Sequence, residues 1–134
     1  MSLKAIKNLD YAILPCRDVQ AARAFYLNVM GFPLVRDHEQ WVMFRVGSTF
    51  LTLRPRGPWL GWDDGDIEAG SVSVQLAFLV AYEEVDQCHR ELVEHGVEIV
   101  DPPRDQDFGH RTLFFRDPEN NVLEIYAELG SPAG

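Results

Sequence analysis

Four polar residues near the two ends of the chain carry side chains suited to acid–base chemistry or to ligand binding: Tyr11, His110, Arg111 and Glu124. A carboxylate such as Glu124 can act as a base, and a histidine can donate or accept a proton near neutral pH. A tyrosine offers a ring for stacking and a hydroxyl for orienting a ligand. Glu124, His110 and Tyr11 are therefore the candidates for catalysis.

The position of Glu124 in a strand determines where its side chain points. It lies between Leu123 and Ile125, so its side chain faces opposite to theirs. Glu124 lines a cavity if those two residues face the helices, and is otherwise a carboxylate exposed to solvent. Tyr11 alternates with Ala12 in the same way and is either a cavity residue or a core tyrosine.

The segment 105–111 brings His110 and Arg111 next to a flexible glycine. At the edge of a pocket, both side chains can contact a ligand. Alternatively, Arg111 forms a structural ion pair with Asp107 or Asp117, and His110 is an exposed loop residue.

A linker at residues 55–71 is rich in proline, glycine, tryptophan and acidic residues. Its two tryptophans, Trp59 and Trp62, are large aromatic side chains that usually pack against something. The linker is either a solvated connection or a loop that closes over a ligand.

These residues are positioned by a half-repeat in which a strand, a helix, a glycine stop and further strands occur twice. In the first copy, Asp18 is a helix N-cap and Gly31 ends the helix. The predicted strands of this copy are 9–14, 32–35, 41–46 and 50–53.

The second copy begins with a β-branched run at 72–80 that predicts a mostly buried strand. Its helix ends at Gly96, and a turn at 117–121 joins two strands. The strands that follow this helix are predicted at 97–100, 112–116 and 122–127.

Length and charge restrict the protein to certain classes. At 134 residues, the chain is predicted to form one α+β domain, with a first module at about 8–54 and a second at about 72–128. A net charge of −9 argues against nucleic acid and anionic membranes as partners and favours cationic or neutral small molecules. Cys16 and Cys88 lack metal-type spacing, and the sequence has no signal peptide or membrane-spanning run, so a cytoplasmic protein is expected.

The motifs at the end of the first helix and in the last hairpin resemble those of the vicinal oxygen chelate superfamily. They are Phe25-Tyr26-x-x-x-Met30-Gly31-Phe32 and Asp117-Pro118-x-x-Asn121-x-x-Glu124. That superfamily includes glyoxalase I, bleomycin-resistance proteins, fosfomycin-resistance enzymes and extradiol dioxygenases. The resemblance covers about residues 8–128 and implies paired βαβββ modules that form a curved mixed sheet around a cavity.

The resemblance also implies four positions from which a metal would be held: Tyr11, Thr52, Gln75 and Glu124. The metal enzymes of the superfamily have His, Gln or Glu there, whereas this chain has a phenol and a hydroxyl at two of the four. A tight divalent metal is not expected, and any metal would use Glu124 and Gln75. The set of ligands required for dioxygenase chemistry is absent, and fosfomycin-type thiol transfer is disfavoured for a similar reason.

Two functions follow from the resemblance. The first is a bleomycin-resistance-like protein that sequesters an aromatic or cationic drug or metabolite without turnover, as a homodimer. The alternative is a glyoxalase-type lyase or isomerase, with or without a divalent metal, in which Glu124 is the base or a ligand and His110 or Tyr11 is the acid. The residues expected to contact the ligand are Tyr11, Thr52, Trp59, Trp62, Gln75, His110, Arg111 and Glu124.

Overall fold

The computed structural model describes residues 2–130 and divides them into two compact units, with the boundary between Asp66 and Ile67. This boundary lies inside the linker predicted at 55–71. The predicted domain extends to residues 1 and 131–134, which lie outside the described residues. Each unit has the predicted order of one strand, one helix and three strands, so the paired βαβββ modules and the α+β class are confirmed.

The first unit contains a four-stranded mixed sheet in the order β1-β4-β3-β2. Its elements are β1 (Tyr11–Cys16), α1 (Val19–Ala24), β2 (Leu34–His38), β3 (Trp41–Val46) and β4 (Thr49–Pro55). Strand β1 runs parallel to β4, and the other pairs are antiparallel. A short 3₁₀ turn at Leu3–Ala5 precedes the sheet.

Local sequence signals set the ends of the first helix, as predicted. The Asp18 carboxylate accepts a hydrogen bond from the Ala21 N–H at 3.0 Å, which satisfies one of the free donors of the first turn. The helix continues as a π-helical turn over Phe25–Val29. Gly31 then adopts a φ of 70°, a conformation that glycine reaches without steric cost.

The second unit repeats this topology in the sheet order β5-β8-β7-β6. Its elements are β5 (Gln75–Leu79), α2 (Tyr82–Glu94), β6 (Ile99–Asp105), β7 (His110–Arg116) and β8 (Val122–Glu128). Gly96 has a φ of 73° after α2, and Asn120 has a φ of 65° in the turn before β8. Both local conformations agree with the sequence prediction.

Several strand bounds differ from the predicted ones, and two of the differences affect candidate site residues. The strand predicted at 72–80 is shorter and is not mostly buried, because successive side chains point to opposite faces and β5 is an edge strand with only β8 beside it. Strand β7 begins at His110 and not at Thr112, so His110 and Arg111 belong to a strand and not to a loop.

Each unit has a core between its helix and one face of its sheet. The buried residues that fill the two cores include Ala22, Tyr26, Phe44 and Leu53 in the first unit and Val85, Leu92, Phe115 and Leu123 in the second. The sheet face directed away from the unit's own helix is called here the far face. Neither helix of the described chain is long and apolar enough to cross a membrane.

Candidate functional site

Glu124 lies on the far face of the second sheet. Its neighbours in β8, Leu123 and Ile125, are buried, and side chains alternate between faces along a strand. The Glu124 side chain is half-buried and is flanked by Ala77 on β5 and Phe114 on β7. The predicted opposition of Glu124 to its two neighbours is therefore confirmed.

Glu124 has a neutral partner. The Gln75 side-chain amide donates to Glu124 Oε1 at 3.4 Å, which is at the long end for a hydrogen bond. Among residues 2–130, Glu124 takes part in no ion pair. The structure thus brings together two of the predicted site residues around an uncompensated negative charge.

An aromatic row continues along the same far face. The His110 ring lies 4.5 Å from the Tyr126 ring between centroids and 5.6 Å from the Phe108 ring. His110 pairs with Glu128 across the sheet, four residues along β8 from Glu124, or about 13 Å of strand. His110 shares the far face with Glu124, and Tyr126 lies between their two positions along β8.

Arg111 points to the opposite face of the sheet from Glu124. Its guanidinium donates to Asp86 on α2 at 2.9 Å and to Asp105 at the end of β6 at 3.0 Å. It also lies over the Tyr82 ring. These hydrogen bonds raise the pKa of Arg111 above its ordinary value, with the one to Asp86 contributing most. The partners differ from Asp107 and Asp117, which the sequence suggested, and they tie the helix to the sheet.

In the first unit, Tyr11 and Thr52 lie on the far face of the sheet. Tyr11 pairs with Phe50 and is 42% exposed, whereas Thr52 is fully buried beside its β1 partner Ile13. The Thr52 hydroxyl has no hydrogen-bond partner in the described chain. Tyr11 is thus neither a core tyrosine nor hydrogen-bonded to Thr52.

A buried ion pair missed by the sequence analysis is found on this far face. Arg54 lies two residues after Thr52, and its guanidinium makes two hydrogen bonds to the Asp64 carboxylate, at 2.7 and 3.0 Å. The side chains are only 5% and 9% exposed. The hydrogen bond from Arg54 is the main reason that the pKa of Asp64 lies well below its usual range. The only signal of this pair in the sequence was a basic residue on a strand that precedes an acidic linker.

The linker is folded around this pair. Pro58 and Asp63 form a β-bridge, and the Trp59 N–H donates to the Trp62 carbonyl at 2.8 Å. The guanidinium of Arg54 lies over both indoles, 4.8 Å from the Trp59 centroid and 5.8 Å from the Trp62 centroid. The beginning of the linker is therefore an ordered hairpin, and both forms considered from the sequence, a solvated connection and a loop that closes over a ligand, stay open.

The side chains at the four metal-ligand positions do not fit a divalent metal. The first unit offers a phenol and a buried hydroxyl at Tyr11 and Thr52, and the second offers an amide and one carboxylate at Gln75 and Glu124. A catalytic divalent ion needs about three strong nitrogen or carboxylate donors. Among the described residues, no group of three or more His, Cys, Asp or Glu side chains could hold an ion.

Comparisons with known proteins agree with this architecture. The uncharacterized protein YraH of Bacillus subtilis is 28% identical over 84% of this chain and 91% of its own length. Metallothiol transferase FosB of Lysinibacillus sphaericus is 22% identical over 90% of this chain and 82% of its own length. A glyoxalase/bleomycin resistance protein/dioxygenase structure from Nocardioides superposes with a TM-score of 0.83, at 22% identity, over 96% of this chain and 89% of that one.

The profile of the Glyoxalase/Bleomycin resistance protein/Dioxygenase superfamily matches residues 8–125. This range includes both βαβββ modules almost entirely and ends one residue after Glu124. The chain therefore belongs to the glyoxalase/bleomycin resistance protein/dioxygenase superfamily, as its two motifs indicated.

Proposed function

We propose that this protein binds a small cationic molecule at Glu124, without a tightly held catalytic metal, and acts by sequestering a drug or metabolite. The observation that carries the proposal is the half-buried Glu124 carboxylate, whose hydrogen-bond partner in the described chain is the neutral amide of Gln75. A ligand that brings an N–H cation would compensate this charge. In this respect the protein would resemble the bleomycin-resistance branch of its superfamily.

Two other carboxylates that are removed from water are compensated within the protein. Asp64 has Arg54, and Asp117 accepts hydrogen bonds from the backbone of Glu119 and from both the backbone and the side chain of Asn121. A carboxylate removed from water without such partners costs free energy. Glu124 is the contrasting case, and this contrast supports a role in binding a charged ligand.

The neighbours of Glu124 suit an organic cation better than a metal. Phe114 lies beside it across the sheet, and Tyr126 follows two residues later on the same face. Aromatic faces attract organic cations through their ring quadrupole. The net charge of −9 adds a long-range attraction for the same class of ligand.

A glyoxalase-type lyase or isomerase is the alternative, and the separation between Glu124 and His110 counts against one form of it. An acid and a base that act on one substrate must both reach the reacting atoms. The backbone positions of Glu124 and His110 lie about 13 Å apart along the strand, with Tyr126 between them on the same face, so a substrate would have to extend across Tyr126 to reach both side chains. The similarity to FosB is at 22% identity, and the donor set described above does not favour thiol transfer through a metal.

The decisive experiment compares the wild type with Glu124→Gln and with Glu128→Gln as the matched control. Both substitutions remove one negative charge from the far face of β8, but Glu128 is exposed at the strand end. The probes are phenethylammonium and its neutral analogue phenethyl alcohol, titrated by calorimetry. We expect Glu124→Gln to weaken phenethylammonium binding about tenfold, or 1.4 kcal/mol, and Glu128→Gln to leave it unchanged.

A metal test runs in parallel on protein purified without chelator. Metal content is measured, and thermal shifts are recorded with nickel, manganese, zinc, iron and cobalt. Two results would overturn the binding role in favour of the enzyme. The first is a stoichiometric metal that stabilises the protein more as its concentration rises. The second is turnover of hemithioacetals that Glu124→Gln abolishes.

The remaining parts of the proposal concern assembly and location. We expect a cytoplasmic homodimer, because a repeated half can pair with the equivalent half of a second chain. Sedimentation over a wide concentration range tests this, and a monomer throughout would contradict it.

A further inference from the structure

We propose that the hairpin of Trp59 and Trp62 in the first unit is a recognition surface for planar aromatic cations, held in position by the buried pair of Arg54 and Asp64. This inference rests on the proposed function only in assuming that the protein binds small molecules. It adds a site in the first unit, and it assigns Arg54 and Asp64 the role of positioning residues.

Trp62 exposes a ring whose polar group is already satisfied. Its indole N–H donates to Asp64 Oδ1 at 3.1 Å, yet 53% of the residue remains exposed. A tryptophan at a wet surface normally turns its N–H toward water or a partner. Here the N–H is used internally, so the exposed part of the side chain is the carbon surface of the ring.

The ring is held in place from two sides. Asp64 fixes its edge by the hydrogen bond, and the Arg54 guanidinium lies over it. The same carboxylate also accepts from the Gly57 N–H at 3.1 Å, which ties it to the start of the hairpin. A side chain ordered before binding loses little conformational entropy on contact with a ligand.

Trp59 extends the aromatic surface. It is 37% exposed, and its ring stacks with Trp41 of β3, with centroids 6.3 Å apart and planes within 16°. The contact with Trp41 anchors the hairpin to the far face of the sheet. A flat ring is the ligand shape that such a fixed pair of indoles can stack against.

The local charge favours a cationic ring over an anionic one. Residues 54–66 contain three acidic and two basic side chains. Asp64 compensates Arg54, and Arg56 is directed to the carbonyls of Asp64 and Gly65. Asp63 and Asp66 are exposed at the hairpin and form no ion pair among the described residues. Indole faces and unpaired carboxylates both attract a cation.

The test uses N-methylquinolinium as a planar cation, quinoline as a planar neutral probe and N-methylquinuclidinium as a cation without a planar ring. Binding is measured by calorimetry, and the indole N–H resonances of the tryptophans are followed by NMR. We expect N-methylquinolinium to bind the wild type most tightly and to shift the Trp62 resonance. Trp62→Ala should weaken this binding about tenfold.

Leu60→Ala is the matched control, because Leu60 is 87% exposed at the tip of the same hairpin. We expect it to change the affinity by less than about twofold, as for a side chain outside the stacking surface. Trp62→Phe keeps an aromatic ring and should retain part of the affinity, which protects the test if the alanine variant folds poorly. The inference is overturned if Trp62→Ala binds like the wild type, or if N-methylquinuclidinium binds as well as N-methylquinolinium.

Asp64→Asn and Asp64→Glu test the positioning role. If Asp64 positions the ring, Asp64→Asn weakens N-methylquinolinium binding and moves the Trp62 indole resonance. Phenethylammonium binding at Glu124 is retained in this variant. Asp64→Glu recovers part of the lost N-methylquinolinium affinity. Equal weakening of both probes would show a purely structural role. If Trp62→Ala weakens N-methylquinolinium binding and Glu124→Gln leaves phenethylammonium binding unchanged, this inference stands and the function proposed for Glu124 is rejected. If only Glu124→Gln weakens binding of its probe, the function proposed for Glu124 stands and this inference is rejected.

Discussion

The two units share one topology but treat charge on their far faces in opposite ways. In the first, Arg54 on β4 is neutralised by Asp64 from the linker, and both side chains are nearly inaccessible. In the second, Glu124 on β8 has an amide neighbour and no cation in the described chain. The repeated βαβββ topology therefore fixes the positions on each sheet, whereas the side chains at these positions determine whether a charge on the far face is paired within the unit.

The largest expected effects on stability are those of substitutions in the two cores. These substitutions test whether the two units form the single domain predicted from chain length. Phe44 in the first unit and Phe115 in the second are both fully buried. Replacing either by alanine should destabilise the protein by about 3–5 kcal/mol. If the units unfold together, both variants lower the same transition in urea, measured by far-UV circular dichroism.

The tryptophans make this experiment sharper, because Trp41, Trp59 and Trp62 all lie in the first unit. Their fluorescence reports that unit alone. In a single cooperative domain, Phe115→Ala shifts the fluorescence transition as far as the circular dichroism transition. A fluorescence transition that stays in place would mean that the units unfold independently.

The next effect concerns the ion pair of the first unit. Asp64→Asn leaves the buried Arg54 without its anion, and breaking a buried pair by removing one partner is strongly destabilising. We expect the fall in Tm near neutral pH to be several times that of Asp37→Asn. This control breaks the more exposed pair of Arg23 and Asp37.

The pH dependence of this effect has a definite sign. Arg54 lowers the folded-state pKa of Asp64, so the unfolded state binds a proton first as the solution is acidified. The stabilisation is complete above the unfolded pKa of about 3.9 and is lost as pH falls through the lower folded value. The Tm difference between wild type and Asp64→Asn should narrow below about pH 4. A difference that is constant from neutral to acidic pH would rule out this linkage.

Features set by local sequence were predicted well. The N-cap at Asp18, the helix ends at Gly31 and Gly96 and the left-handed Asn120 depend on neighbours within a few residues. Strand alternation likewise predicted that Glu124 faces opposite to Leu123 and Ile125. Such features need no knowledge of how distant segments pack.

Features set by distant contacts were not predicted. The pairing of Arg54 with Asp64 depends on how the linker folds back, and the partners of Arg111 come from α2 and β6. The prediction that the 72–80 run is mostly buried was wrong because β5 lies at the edge of its sheet. The order of strands in a sheet is not encoded in one run of residues. The charge contrast between the units thus required the structure.

The smallest expected effect on stability concerns a feature that the two units share, the glycine that ends each helix. Gly31 and Gly96 end equivalent helices at φ values of 70° and 73°, and a Cβ at either position would meet no atom within 4 Å. Alanine at each should therefore cost only the backbone penalty of the left-handed conformation, about 1–2 kcal/mol. Urea titrations should give the same loss for both variants within error. A clearly larger loss at one of them would mean that the helix end has a packing role in that unit alone, and that the repeat differs in packing as well as in charge.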